Sequence, residues 1–253
     1  MKVLTLLNQV FGYDAFRPGQ KELIDALLNG QDVMGTMPIG TGKSLCYQLP
    51  ALMLPGLTLV VTPPSPQIRE EITALRRVGV AVAFLENSLS PEQYAETLRR
   101  MKAGIFKILY VEPERLSDEE FLALSQSVEI SLVAVEEAHC VSEWGYDYRP
   151  SYQNIAAFCK SLPKRPPVGA FTALATREVK HDIVYLLGLH RPLRLTRGYD
   201  RPNHYFDVEQ PTNKDTWVAN YVASHSEQSG VVYCSTQKLV EKVCAKLQNW
   251  AMP

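Results

Sequence analysis

Met37-Pro38-Ile39-Gly40-Thr41-Gly42-Lys43-Ser44 follows a short β-rich run at Val33–Gly35 and leads into a helical stretch. Gly40 and Gly42 let the backbone turn tightly, so that Thr41 and its neighbours aim amide N–H groups at an anion beside a helix N-terminus. Lys43 is then placed to reach the β- and γ-phosphates of a nucleotide, and the Ser44 hydroxyl to complete a Mg²⁺ shell. The strict phosphate-loop pattern has glycine where Met37 stands, but the GxGKS core is kept. A plain glycine-rich turn is the competing reading, and the strand before and helix after favour nucleotide binding.

The surroundings of this loop predict an α/β fold. Short β-rich runs at Leu57–Thr62, Val80–Phe84, Phe106–Val111, Ile130–Val135 and Val168–Phe171 alternate with helical patterns. One helix opens with Ser90 as cap, Pro91 at its first position and Gln93 completing a capping box. Another runs from Arg177 to Leu187 and stops at Gly188. Such alternation implies a mostly parallel sheet with helices on both faces and ligands beyond the carboxyl ends of the strands. A second unit is expected from about Asp200, with strands at His204–Val208 and Val231–Cys234. Two helices accompany them, one with Trp217, Val218, Tyr221 and Val222 on one face, the other with Val240, Val243 and Leu247 inward.

The run Ile130–Val135 ends in Glu136-Glu137-Ala138-His139. A carboxylate at the end of a strand beside the phosphate loop can hold Mg²⁺ through water, and a second can orient and deprotonate an attacking water. Glu136 takes the first role and Glu137 the second, while His139 is positioned to couple this site to a neighbour.

Composition narrows the rest. In 253 residues, 26 Lys and Arg oppose 27 Asp and Glu, for a net charge of −1, which is no global nucleic-acid footprint. No apolar run approaches the ~20 residues of a membrane span. The five cysteines contain no CxxC pair, so buried free thiols in a reducing cytoplasm are expected, without a metal site.

Longer segments carry a resemblance. FRPGQ over 16–20, MPIGTGKSLCYQLPA over 37–51, EPERL over 112–116, EEAHCVSEWGYDYRPSY over 136–152 and DRPN over 200–203 resemble the RecQ family of superfamily 2 DNA helicases. The resemblance implies a first RecA-like, ATP-binding domain over residues 1–200 and the incomplete beginning of a second over 201–253. It implies ATP and Mg²⁺ as cofactors, single-stranded or partly duplex DNA as partner, no membrane, and a nucleoid-associated, cytoplasmic setting in DNA repair and recombination. Gln20 would read the adenine edge while Tyr13 and Arg17 sandwich the ring. Trp144, Tyr146 and Tyr148 would offer stacking platforms to single-stranded DNA and Arg149 a phosphate contact. A stacking Trp144 is expected to be exposed in the free protein. Thr172-Ala173 matches the start of the third helicase motif.

Several positions depart from the family pattern. Glu136 replaces the usual aspartate, Ile39 a threonine, Glu143 a glutamine, Leu174 a threonine and Gln237 an arginine. Where the family reads SPLISLMKDQ, the chain begins Thr62-Pro63-Pro64-Ser65-Pro66-Gln67, and proline removes N–H donors. The family's arginine finger and last motifs have no counterpart in these residues. The reading is therefore the ATP-binding lobe of a 3′-to-5′ helicase that does not unwind DNA as it stands. The alternative is a degenerate nucleotide- or DNA-binding module without significant ATPase activity.

Overall fold

Strands read as near-continuous apolar runs when both faces of a sheet are covered, and the alternate side chains then sort to opposite faces. That sorting is visible here. The computed structural model describes residues 3–145, 147–198 and 203–250, in two units, Met1–Tyr199 and Asp200–Pro253. In the first unit the chain runs α1 (Val3–Phe11), α2 (Gln20–Leu28), β1 (Val33–Thr36), α3 (Leu45–Met53), β2 (Leu57–Val61) and α4 (Pro66–Arg77). It continues through β3 (Val82–Leu85), α5 (Pro91–Lys102), β4 (Ile108–Val111), α6 (Glu119–Ser125) and β5 (Ile130–Val135). It closes with α7 (Asn154–Ser161), β6 (Val168–Thr172), α8 (Arg177–Leu186) and β7 (Leu193–Thr196).

The strands form one sheet in the order β3-β4-β2-β5-β6-β1-β7, and every pairing is parallel. Leu59 and Val61 of β2 and Val133 and Val135 of β5 pack against α5, α6, α7 and α8. Val60, Leu132 and Ala134 point the other way, onto α2, α3 and α4. At the amino-terminal edge the buried Asp32 accepts hydrogen bonds from the Val168 and His190 amides and pairs with Arg165 at 2.7 Å. It ties the starts of three neighbouring strands together and leaves the opposite edge free for ligand chemistry.

Local signals explain most boundaries. The Ser90 capping box is present in both directions, with Ser90 Oγ accepting from the Gln93 amide and Gln93 Oε1 from the Ser90 amide. Gly188 adopts a positive φ of 61° where α8 ends. One boundary and one element were not legible in the sequence. The run of prolines hides the start of α4: Ser65 caps it by accepting from the Ile68 amide, and Pro66 sits at the first helical position, where no N–H is needed. Strand β7 shows only a four-residue alternation of half-buried and exposed side chains.

The second unit contains α9 (Lys214–Ser224) and α10 (Gln237–Trp250). The strands expected at His204–Val208 and Val231–Cys234 do not form: neither segment has a ladder partner among the described residues, and all but the half-buried Cys234 are exposed. β-branched and aromatic composition favours a strand only where a neighbouring strand takes up its N–H and C=O groups. On α10 the half-buried face is Leu239, Val243 and Leu247, with Val240 on the exposed side. Three of the cysteines, Cys46, Cys140 and Cys159, are buried free thiols, whereas Cys234 is half-buried and Cys244 exposed.

Candidate nucleotide-binding site

Loops leaving the carboxyl ends of β1, β2 and β5 enclose a cavity of about 840 Å³. Its floor is the phosphate loop. Gly40 and Gly42 both adopt φ of +80°, a conformation that side chains with a Cβ rarely take. The Thr41 amide and hydroxyl turn back onto the Pro38 carbonyl. The Gly42, Lys43 and Ser44 amides meet no acceptor among the described residues and stand at the N-terminus of α3. Lys43 and Ser44 line the cavity from the same turn. Three free donors, a helix N-terminus and an ammonium make a cradle that suits a polyphosphate.

The loop is braced from the preceding segment. Gln20, only 2% exposed, accepts from the Arg17 amide and donates through Nε2 to the Thr41 and Gly42 carbonyls at 3.2 and 3.0 Å. Arg17 donates through its guanidinium to the Gly40 carbonyl. Tyr13 is 52% exposed and lines the same cavity as Arg17 and Gln20. All three line the cavity, but the Gln20 amide is spent on the loop.

Glu136 and Glu137 reach the cavity from the end of β5. Strand β6 lies between β5 and β1, so the acidic pair sits one strand further from the phosphate loop than a direct neighbour would. Glu136 is 6% exposed, and its buried Oε1 has no hydrogen-bond partner among the described residues. Burial first, then the carboxylates of Glu71 and Glu137, push its carboxyl up to about 7. Tyr152, fully buried, donates its hydroxyl to the Glu136 carbonyl at 2.9 Å and fixes that corner of the backbone. Glu137 has a positive φ of 46°, a strained conformation for a non-glycine residue. Its carboxylate lies 3.3 Å from His139 Nδ1, which is also 2.9 Å from the Thr172 hydroxyl at the end of β6. Thr172 in turn donates to the Leu174 carbonyl, so His139 Nδ1 is assigned as the proton-bearing nitrogen.

One residue of this site was not read from the sequence. Glu71 on α4 accepts from the Ser44 hydroxyl at 2.5 Å and from Gln48 Nε2 at 3.2 Å, with the Tyr47 and Tyr110 hydroxyls at 3.5 Å each. Burial holds its carboxyl above the usual range, while those hydrogen bonds and Lys43 pull it back. In sequence, Glu70-Glu71 beside Arg69 looks like an ordinary solvated helix face. Only the inward amphipathic partners Ile68, Ile72 and Leu75 signal which side Glu71 shares.

Among the described residues no three His, Cys, Asp or Glu side chains form a ready-made metal cage. Mg²⁺ does not need one, since it is usually held by one or two carboxylates together with phosphate oxygens and water. The Ser44 hydroxyl and the Glu136 carboxyl, from residues that both line the cavity, fit that demand.

The stretch expected to meet DNA leaves the site as a tight loop. Ser142 donates to Asp182 of α8 at 2.6 Å and accepts from the Trp144 amide. The Gly145 amide returns to the Ser142 carbonyl, and a Cβ on Gly145 would lie 2.2 Å from the His139 carbonyl oxygen. Trp144 is 80% exposed. Tyr148 accepts from Gln153, and Arg149 is engaged by Asp147 at 3.0 Å. Tyr146 lies outside the described residues. The loop thus presents Trp144 to solvent, whereas Arg149 already has an anionic partner.

A family model for the DEAD/DEAH box helicases matches residues 17–181. The chain belongs to this family. Within it, the helicase domain is 38% identical to the ATP-dependent DNA helicase RecQ of Bacillus subtilis and 36% identical to that of Haemophilus influenzae, each over 97% of this chain. It spans 42% and 40% of the length of those relatives. Among solved structures it is similar to the DUF1998 helicase MrfA bound to DNA and AMPPNP, with a TM-score of 0.69 and 16% identity. That match covers 99% of this chain and 38% of the other. The helicase domain of Pyrococcus furiosus Hef gives a TM-score of 0.58 at 20% identity, over 75% of this chain and 39% of that one. These likenesses place the parallel sheet among RecA-like helicase folds.

Proposed function

We propose that this helicase domain binds an adenine nucleotide with Mg²⁺ in the cavity above β1 and β5. It would act as the ATP-binding lobe of a RecQ-like 3′-to-5′ DNA helicase in a cytoplasmic, nucleoid-associated setting. One observation carries the reading: three unpartnered loop amides and Lys43 face the same cavity as two carboxylates from the end of β5. When bound, Mg²⁺ would supply charge neutralisation at the phosphates, held by Ser44 and, through water, Glu136. Lys43 would contact the β- and γ-phosphates. Glu137 would orient and deprotonate the attacking water, and the His139–Thr172 contact would pass the state of that site to β6. Tyr13 and Arg17 would flank the adenine, with Gln20 exchanging a loop carbonyl for the base edge.

Single-stranded or partly duplex DNA would meet Trp144, Tyr146, Tyr148 and Arg149. The names of the RecQ relatives as ATP-dependent DNA helicases support this reading. Calorimetric titration with Mg-ATP tests it. The chain should bind, and Lys43→Ala should abolish triphosphate-dependent binding by removing the loop's cation. No binding at millimolar nucleotide would overturn the proposal.

A second reading, a binding module without significant ATPase activity, draws support from the acids that crowd the site. Glu71 adds negative charge beside the phosphates, and Asp147 occupies Arg149. DNA-stimulated ATP hydrolysis by the chain extended with a complete second lobe separates the two.

A further inference from the structure

We infer that Glu71 is a positioning residue of the cation site, accepting the Ser44 hydroxyl proton and forming with Glu136 a two-carboxylate pocket that takes up a divalent cation before any nucleotide. The inference rests on the cation half of the reading above and adds a residue to it. The Ser44 hydroxyl donates to Glu71 Oε1 at 2.5 Å, so its own lone pairs are left directed away from that carboxylate. A hydroxyl in this state is a better metal ligand than one whose proton is uncommitted, since an outer carboxylate fixes the ligand and raises its basicity.

Glu71 is itself held from two elements, by Gln48 and Tyr47 of α3 and Tyr110 of β4. Gln48 bridges Glu71 to Tyr110 at 3.2 and 3.1 Å, which locks the acid against α3. A surface glutamate would not gather such partners. Glu136, 6% exposed, lines the same cavity, and its sealed Oε1 has no hydrogen-bond partner among the described residues. Burying a carboxylate oxygen with no donor is costly unless something positive arrives. With all groups ionised, Glu71, Glu136 and Glu137 outnumber Lys43 and Arg17 in the cavity lining by one, a balance that favours a hard cation over a free anion once Glu136 gives up its proton.

The probe is Mn²⁺, counted by electron paramagnetic resonance of the unbound ion, first with the chain alone and then with ADP. The nucleotide-free chain should bind Mn²⁺, and Glu71→Gln should weaken that binding by about 10- to 100-fold, the usual effect of losing an outer-shell carboxylate. Glu71→Asp keeps the charge and should recover part of it. Glu71→Gln preserves shape and acceptor, and its melting temperature reports any loss of fold. Equal Mn²⁺ affinity in Glu71→Gln and the parent would overturn the inference, as would the absence of nucleotide-free Mn²⁺ binding in the parent. The ADP arm keeps the two ideas apart. Mn²⁺ binding without any ADP binding sinks the nucleotide reading alone, and ADP binding with no dependence of Mn²⁺ on Glu71 sinks this one alone.

Discussion

Glu136 holds its carboxyl at about 7, above the 4.5 of a free glutamate, because burial and two neighbouring carboxylates disfavour the charge. Between those values the folded chain keeps a proton that the unfolded chain has released. Its contribution to stability is therefore complete below pH 4.5 and is lost as pH rises through 7. Glu136→Gln mimics the protonated side chain. It should melt like the parent at pH 5 and higher than the parent at pH 8, in thermal scans at the two values. A difference that does not change with pH would assign the proton elsewhere. The glycines of the phosphate loop give a second comparison. Gly40 and Gly42 share the same φ, but a Cβ on Gly42 would lie 2.5 Å from Gln20 Nε2 while one on Gly40 meets nothing within 4 Å. Gly40→Ala should cost about 1–3 kcal/mol in backbone strain. Gly42→Ala should cost about 1–2 kcal/mol more, because it also displaces the Gln20 amide from two carbonyls. Denaturant unfolding of both variants measures the excess, and equal losses would mean that Gln20 braces nothing.

The stretch from Ser142 to Tyr152 has an exposed tip at Trp144 and a buried root at Tyr152. Trp144 is exposed at the tip, so Trp144→Ala should leave the melting temperature nearly unchanged. If the ring stacks on a base, the same change weakens single-strand binding by about 1–3 kcal/mol, read by fluorescence anisotropy with a labelled strand. Tyr152 at the root is buried on the Glu136 carbonyl, and Tyr152→Phe should cost about 1–2 kcal/mol of stability by orphaning that oxygen. A large stability loss in Trp144→Ala with unchanged DNA affinity would return the loop to a packing role. Sequence showed the aromatic residues of this loop but not their division of labour. Burial separates Tyr152 from Trp144, and nothing in their composition or spacing does.

Taken whole, the chain is two units of unequal solidity. The first has a covered seven-stranded sheet, whereas Ala219 alone is buried among the described residues of the second. Amides of α9 and α10 should therefore exchange with solvent orders of magnitude faster than those of β1 and β5 in hydrogen-exchange mass spectrometry. Equal protection would show a cooperative core in the second unit. The same contrast explains what could be read in advance. In the first unit, Val33–Ser44, the Ser90 cap and Ile130–Val135 each carry local chemistry that agrees with their surroundings, and they stand where the pattern put them. Strand β7 was missed because its four residues alternate too briefly to register, and Glu71 because a charged residue on a helix looks solvated until the helix is docked. The expected strands at His204–Val208 and Val231–Cys234 failed for the opposite reason: their propensity was clear, but a strand is a relation between two segments.

Gly145 closes the loop so tightly that no side chain fits between it and the His139 carbonyl. In mechanical terms that contact is a pivot without play. A longer or looser turn would absorb a push at Trp144 by bending, as a slack rope does. Here the arm from Trp144 to Gly145 bears directly on the backbone that carries His139, with Ser142 anchored to Asp182 as the fixed mount. A Cβ at position 145 would have to push the His139 carbonyl aside or loosen the turn that Ser142 anchors to Asp182, so the tightness of this turn depends on glycine.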